Sequence, residues 1–379
     1  MDHLKQSFDS FFDSEARVAV IKGEWGVGKT YFWGKYIKNR INEKKVSQIA
    51  YSYISLFGKS SLEDVRKSIF HRAEAICSDQ LIEKTFGEQF EKSRALFDKS
   101  PWLTKNFAKA RNKTSRLNWL SKLLQDIPFF EKYSNIINSL EFGLVQNYVI
   151  CFDDLERKGE GLSVKEVMGL VDELAQRKNC KVILIFNRNS FENGGADKEQ
   201  FDTYREKVVD IELTHNPTCK ENFNCVFSIE ADDYFPIIEK AVHELNIKNI
   251  RVLKKLKYMI ETFSRYFEKK GDQIKIVFLM HAVILGYGFY IRDKELNYEL
   301  LKELLSKKSW LSFVGSKDSE MSKGEKKFRT IASNLKLSPS DLDQSIIFFL
   351  EHGYIDSDQV NLHPHSGWPQ EAPSKGAFT

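Results

Sequence analysis

The residues with the clearest chemistry are eight in a row: Gly23, Glu24, Trp25, Gly26, Val27, Gly28, Lys29 and Thr30. They fit the pattern G-x-x-x-x-G-K-[ST]. Glycines let the chain wrap backbone N–H groups around phosphate oxygens, and a helix opening after them adds the positive end of its dipole. In that arrangement Lys29 reaches the β- and γ-phosphates, and the Thr30 hydroxyl ligates Mg²⁺. Glu24 through Thr30, with Tyr31 behind them, form the expected nucleotide-binding segment. ATP and Mg²⁺ are the expected ligands. No N/T-K-x-D guanine-reading motif follows the later strands, which favours ATP over GTP.

Phosphoryl transfer needs a second half: an acid at the C-terminal end of a strand. Tyr148-Val-Ile-Cys-Phe-Asp153-Asp154 supplies it. Asp153 is expected to hold Mg²⁺ through water. Asp154 is the first candidate to polarise the attacking water, and Glu156 is its rival. Asn187, directly after the apolar run Lys181–Phe186, is placed to orient that water, with Asn189 as substitute; a turn-forming Asn is the ordinary alternative. Arg205 precedes the next strand, from where it is placed to reach a neighbouring subunit's γ-phosphate. Arg251 opens a C-terminal helix and is placed to meet the nucleotide from above. For both, a solvated surface arginine is the competing reading.

The elements that must position these groups follow from periodicity. Arg17–Lys22, Gln48–Leu56, Tyr148–Phe152, Lys181–Phe186 and Lys207–Leu213 read as strands. Helices are expected at Tyr31–Ile41, from the Ser60/Glu63 capping pair towards Cys77, from the Ser163/Glu166 pair onward, and after Asn193-Gly-Gly195. Strands alternating with helices imply an α/β fold: a parallel five-stranded sheet with helices on both faces. Residues 79–141 show no strand pattern and read as a helical insert. From Glu221 the pattern is helical: Tyr234–Leu245, Ile250–Lys269, Ile274–Tyr290, Tyr298–Ser306 and Leu342–Glu351. The expected domains are a core over 1–216, a helical lid and C-terminal domain over 217–360, and a Pro- and Gly-containing disordered tail over 361–379.

Composition narrows the class. The chain has 379 residues, 57 Lys and Arg against 53 Asp and Glu, a net charge of +4, and 42% hydrophobic residues. That is enough apolar material for a core and too little for a multispan membrane protein. Eight Pro and 20 Gly exclude a collagen-like or largely disordered chain. Five Cys with no C-x-x-C pair, and scattered histidines, argue against a zinc site or a disulfide framework and for a reducing cytoplasm. The N-terminus lacks the apolar stretch of a signal peptide. The most membrane-like run, Ile276–Ile291, is short and holds His281, Gly286 and Gly288, so it is expected to be a buried helix rather than a transmembrane segment. Inside the insert, Lys99–Lys122 carries seven Lys and Arg residues, no acid, and Trp102, Phe107 and Trp119 among them. It is a candidate nucleic-acid or acidic-lipid contact, although such a run is more often a solvated helix face.

These residues resemble a known family. Gly23–Thr30 is similar to the G-x-W-G-x-G-K-[ST] loop of the KAP-type P-loop NTPases, and Phe152-Asp-Asp-Leu-Glu-Arg157 is similar to their D-D-L-D-R segment, with Glu156 as a replacement. Ser55–Gly58, Tyr204–Val209 and Asn249-Ile-Arg251 resemble further segments, the last without its usual Pro. The resemblance implies an AAA-like ATPase core with a helical lid and a role in bacterial anti-phage defence or membrane-associated signalling; a conformational switch in a homo-oligomer with a protein partner is the accompanying expectation. Relatives often carry transmembrane helices where this chain has its basic insert.

Overall fold

The computed structural model describes residues 2–76, 141–187, 190, 195–227, 234–267 and 271–356. They fall into two compact units, Met1–Asn216 and Pro217–Thr379. The first unit begins with helix α1 (Asp2–Asp13), followed by β1 (Val18–Gly23), α2 (Lys29–Asn42), β2 (Ala50–Ser55), α3 (Leu62–His71) and β3 (Ala73–Ala75). It continues with β4 (Tyr148–Asp153), a one-turn 3₁₀ helix (Leu155–Arg157), α4 (Val164–Asp172), β5 (Lys181–Asn187), α5 (Ala196–Val208) and β6 (Ile211–Thr214).

The sheet order is β3-β2-β4-β5-β1-β6. The five expected strands are parallel, and β3 adds a sixth, antiparallel to β2 at the edge. Every residue of β4 and β5 is buried, as expected of central strands covered on both faces. Alternation divides the core in two. Val18 and Val20 point to the face covered by α3, α4 and α5 through Val65, Ile69, Val167 and Phe201. Ala19 and Ile21 point to the other face, with Phe8, Phe11, Trp33 and Tyr36 of α1 and α2. Phe8 and Phe11 are almost fully buried. Each such side chain contributes about 1.5–3 kcal/mol relative to exposure. The Lys181 ammonium fixes the end of α1 by donating to the carbonyls of Phe11 (2.7 Å), Ser14 (2.8 Å) and Ala16 (2.6 Å).

Several expectations are corrected. The capping pair that opens α3 is one residue later than Ser60/Glu63: Ser61 accepts from the Asp64 amide at 3.1 Å. That helix stops at His71, because Ala73–Ala75 turns back to pair with β2. Lys207 and Val208 finish α5 instead of opening the last strand, which is Ile211–Thr214. The buried Val208 belongs to the helical apolar face, and Asp210 is used in the turn, where its carboxylate accepts from the Arg17 and Val18 amides. Helix α1 has no counterpart among the expected elements. The Ser163/Glu166 box forms as expected.

The described residues of the second unit form helices at Cys219–Val226, Phe235–Glu244, Ile250–Phe267, Asp272–Tyr290, Tyr298–Leu304, Lys307–Gly315, Lys323–Leu335 and Leu342–His352, with no strand among them. The apolar helix Asp272–Tyr290 is long enough to cross a membrane, yet its Phe278–Gly288 stretch lies largely inside this unit's own core. Residues 79–140 of the expected insert with its Lys99–Lys122 run, Asn189, and the tail 361–379 lie outside the described residues.

Candidate functional site

Strand register brings the candidate residues together. Gly23 is opposite Asn187 across β1 and β5, and Ser55 is opposite Asp153 across β2 and β4. Gly23, Asp153 and Asn187 thus close three neighbouring strands at one edge, the carboxyl edge where open α/β sheets bind ligands.

The loop after β1 has the backbone that its sequence requires. Gly26 and Gly28 take left-handed φ values of 77° and 96°, which side-chain-bearing residues rarely adopt. Gly23 is required for space, since a Cβ there would lie 2.4 Å from the His215 carbonyl oxygen. Gly28 caps α2, so the loop ends on a helix N-terminus, and the Phe32 amide donates to the Gly28 carbonyl at 2.8 Å. The Lys29 ammonium folds over the loop and donates to the carbonyls of Gly23 (2.9 Å) and Glu24 (2.8 Å). Glu24, Thr30 and Tyr31 are exposed, Trp25, Gly26, Gly28 and Lys29 are partly exposed, and Val27 is buried.

Thr30 and Asp153 meet. The Thr30 hydroxyl donates to Asp153 Oδ2 at 2.6 Å, and Tyr53 donates to the same oxygen at 2.7 Å. Asp153 is 4% exposed. Burial raises its pKa above the ordinary carboxylate value, with the Thr30 and Tyr53 donors opposing that shift. Among the described residues no group of three or more His, Cys, Asp or Glu side chains converges as a metal cage. One carboxylate beside one hydroxyl is instead the partial oxygen donor set that Mg²⁺ takes when substrate phosphates and water complete its shell. The residues present therefore fit Mg²⁺.

The two rival acids differ sharply. Asp154 takes the left-handed conformation (φ 59°), and its Oδ2 accepts from the Ser55 hydroxyl at 2.9 Å. Glu156 sits in the 3₁₀ turn that packs on β5. Burial raises its pKa; its own backbone amide and that of Asn187 donate towards it and oppose the shift. The charges acting on it are those of Asp154 and Lys29. Its Oε2 is buried and has no hydrogen-bond partner among the described residues. Leaving such an oxygen unsatisfied costs about 1–3 kcal/mol, which packing alone does not explain. Asn187 itself is 5% exposed at the tip of β5.

The two arginines have local partners of their own. Arg205 lies in the last turn of α5, where its Nε pairs with Glu212 at 3.1 Å; Glu212 also takes Lys22 at 2.6 Å. Arg251 stands in the second unit, exposed in the first turn of Ile250–Phe267, where Asn249 Oδ1 accepts its amide at 3.0 Å and does the capping.

Sequence reasoning missed four contributors. Tyr53 and Ser55 come from the alternating face of β2, a signal present in the sequence but not connected to the acids of β4. Arg157 lays its guanidinium on Trp25 of the loop, 3.8 Å from the ring centroid. His215, 3% exposed, places Nε2 3.2 Å from the Val27 carbonyl and lies against Phe32 at a tilt of 33°, ring centroids 5.3 Å apart.

Comparison with known families agrees with this geometry. The sequence matches the KAP family P-loop domain over residues 6–237. No curated protein matches it. Similar solved structures include the ORC2 protein of Aeropyrum pernix in ADPNP–ADP complexes, at 12% identity and TM-score 0.41, covering 95% of this chain and 85% of that one. A point variant of Thermotoga maritima RuvB matches at 11% identity and TM-score 0.34, over 94% and 90% of the two chains. A Walker-type ATPase of Pyrococcus abyssi matches at 14% identity and TM-score 0.34, over 88% of each.

Proposed function

We propose that this chain, which belongs to the KAP family of P-loop NTPases, binds ATP on Gly23–Tyr31 and hydrolyses it. The observation that carries the reading is the buried Glu156 Oε2, without a hydrogen-bond partner among the described residues, in the turn packed on β5, in a unit whose Thr30 and Asp153 are already paired. Backbone amides of the loop and the Lys29 ammonium hold the phosphates. Thr30 and Asp153 would hold Mg²⁺, which supplies charge neutralisation of the phosphate oxygens. Glu156 is the better base of the two acids. Burial moves its pKa towards the working pH, where a base is most effective, whereas Asp154 is engaged by Ser55. It accepts a proton from water as the water oxygen attacks the γ-phosphorus and the bond to ADP breaks. Asn187 closes the same edge from β5.

Hydrolysis then resets a conformational or assembly switch in a cytoplasmic homo-oligomer. Arg205 is read as a contact to a neighbouring copy's γ-phosphate, which requires it to leave Glu212, and Arg251 as a contact to the nucleotide. A part in anti-phage defence follows from the family reading. The experiment is steady-state phosphate release by purified protein and by Lys29→Ala. Release by the wild type that disappears in the variant supports the reading. ATP binding with no release, alone or with DNA or lysate, supports a nucleotide-bound scaffold instead, and no binding overturns both.

A further inference from the structure

Arg157 is fixed in the backbone and its side chain leans on the phosphate loop. Its amide donates to the Asp154 carbonyl at 2.8 Å, and its own carbonyl accepts from Gly58 at 3.1 Å. Phe57 is bridged to Lys158, and the Gly159 amide donates to the Lys59 carbonyl at 2.7 Å. The two segments approach so closely that a Cβ at Gly159 or Gly161 would lie 2.3 Å or 2.6 Å from Ser60 oxygens. From this anchored position the guanidinium carbon stands 3.8 Å from the Trp25 ring centroid and 5.4 Å from that of Phe57. Arg157 forms no ion pair among the described residues. Its side chain is spent on the two rings.

The ring it covers belongs to the glycine-bearing part of the loop. Trp25 precedes Gly26, and both Gly26 and Gly28 are left-handed. A glycine backbone loses more conformational freedom than any other when it is fixed in one conformation. A contact that orders the loop beforehand lowers that cost and tightens binding. The geometry points to Arg157 as a positioning residue for nucleotide binding: it clamps the crest of the phosphate loop through Trp25, with Phe57 backing the stack. This assignment rests on the nucleotide-binding reading above.

The test is a double-mutant cycle in the full chain, reading affinity for a fluorescent ATP analogue. Arg157→Ala is expected to weaken binding about 3- to 30-fold, the range of a cation–π contact. Arg157→Lys, which keeps the charge but loses the planar stack, should fall between it and wild type. On the Trp25→Leu background, Arg157→Ala should change affinity no further. Additive losses would overturn the clamp, because Arg157 would then act without Trp25. Wild-type binding with an unchanged Arg157→Ala would overturn the clamp alone. Absence of binding by the wild type would overturn the nucleotide reading and the clamp with it. Thermal melts of the singles check folding, and the lysine variant gives a second reading if the alanine variant unfolds.

Discussion

The Thr30 hydroxyl donates to Asp153 Oδ2 across 2.6 Å, joining the first residues of α2 to the end of β4 over 123 positions of sequence. Burial raises the Asp153 pKa from its ordinary 3.8. Between 3.8 and the raised value the folded chain keeps a proton that the unfolded chain has lost, so this group's contribution to stability falls as pH climbs through that window. In nucleotide-free protein, the stability of Asp153→Asn relative to wild type is therefore expected to rise as pH climbs from the ordinary 3.8 through the raised value, on top of a pH-independent offset from the lost Asp154 amide contact to Oδ1. The Asn oxygen still accepts from Thr30 and Tyr53. Urea midpoints of the two proteins at several pH values check it; a stability difference that shrinks as pH rises contradicts it.

Lys29 donates to two carbonyls at the start of its own loop. Exchanging them for phosphate oxygens replaces neutral acceptors with charged ones, a gain on the order of 1.5–3 kcal/mol. Lys29→Ala is expected to weaken ATP binding by at least about 10- to 150-fold with little change in melting temperature. Titration calorimetry measures the first and a thermal melt the second.

His215 sits beneath the loop with Nε2 at 3.2 Å from the Val27 carbonyl. Removing its ring leaves a gap beside Phe32 and takes one contact from the Val27 carbonyl, a cost on the order of 1–3 kcal/mol. His215→Ala should lower the unfolding midpoint accordingly and raise KM for ATP more than it lowers kcat. A kcat loss with KM unchanged would assign His215 a different role.

The sheet and the loop are legible in the sequence because their signals are local. Val18–Ile21 and Val182–Phe186 are unbroken apolar runs, and Gly23–Thr30 carries its own spacing. What stays hidden depends on contacts between distant segments. The short strand Ala73–Ala75 has no apolar pattern and exists only by pairing with β2. The end of α5 is ambiguous in sequence because Val208 and Val209 suit a strand as well as the buried side of a helix. The choice between Asp154 and Glu156 needs burial and the approach of β5, and Tyr53, Arg157 and His215 act through neighbours that no spacing rule connects.

Burial of Glu156 also sets a pH limb. A base must be ionised, and burial holds this carboxyl above its ordinary 4.5. The acid limb of kcat is expected above the usual glutamate range, with activity falling as pH drops through the raised pKa. A limb at or below 4.5 would contradict the assignment.

The most direct test of the account is single-turnover ATP cleavage by wild type and Glu156→Gln at matched saturation. The variant keeps the shape of the side chain and loses only the base. The account predicts ATP affinity within a few-fold of wild type and a cleavage rate lower by about 10²–10⁴-fold. Cleavage at the wild-type rate, or its loss in Asp154→Asn while Glu156→Gln stays active, would contradict it.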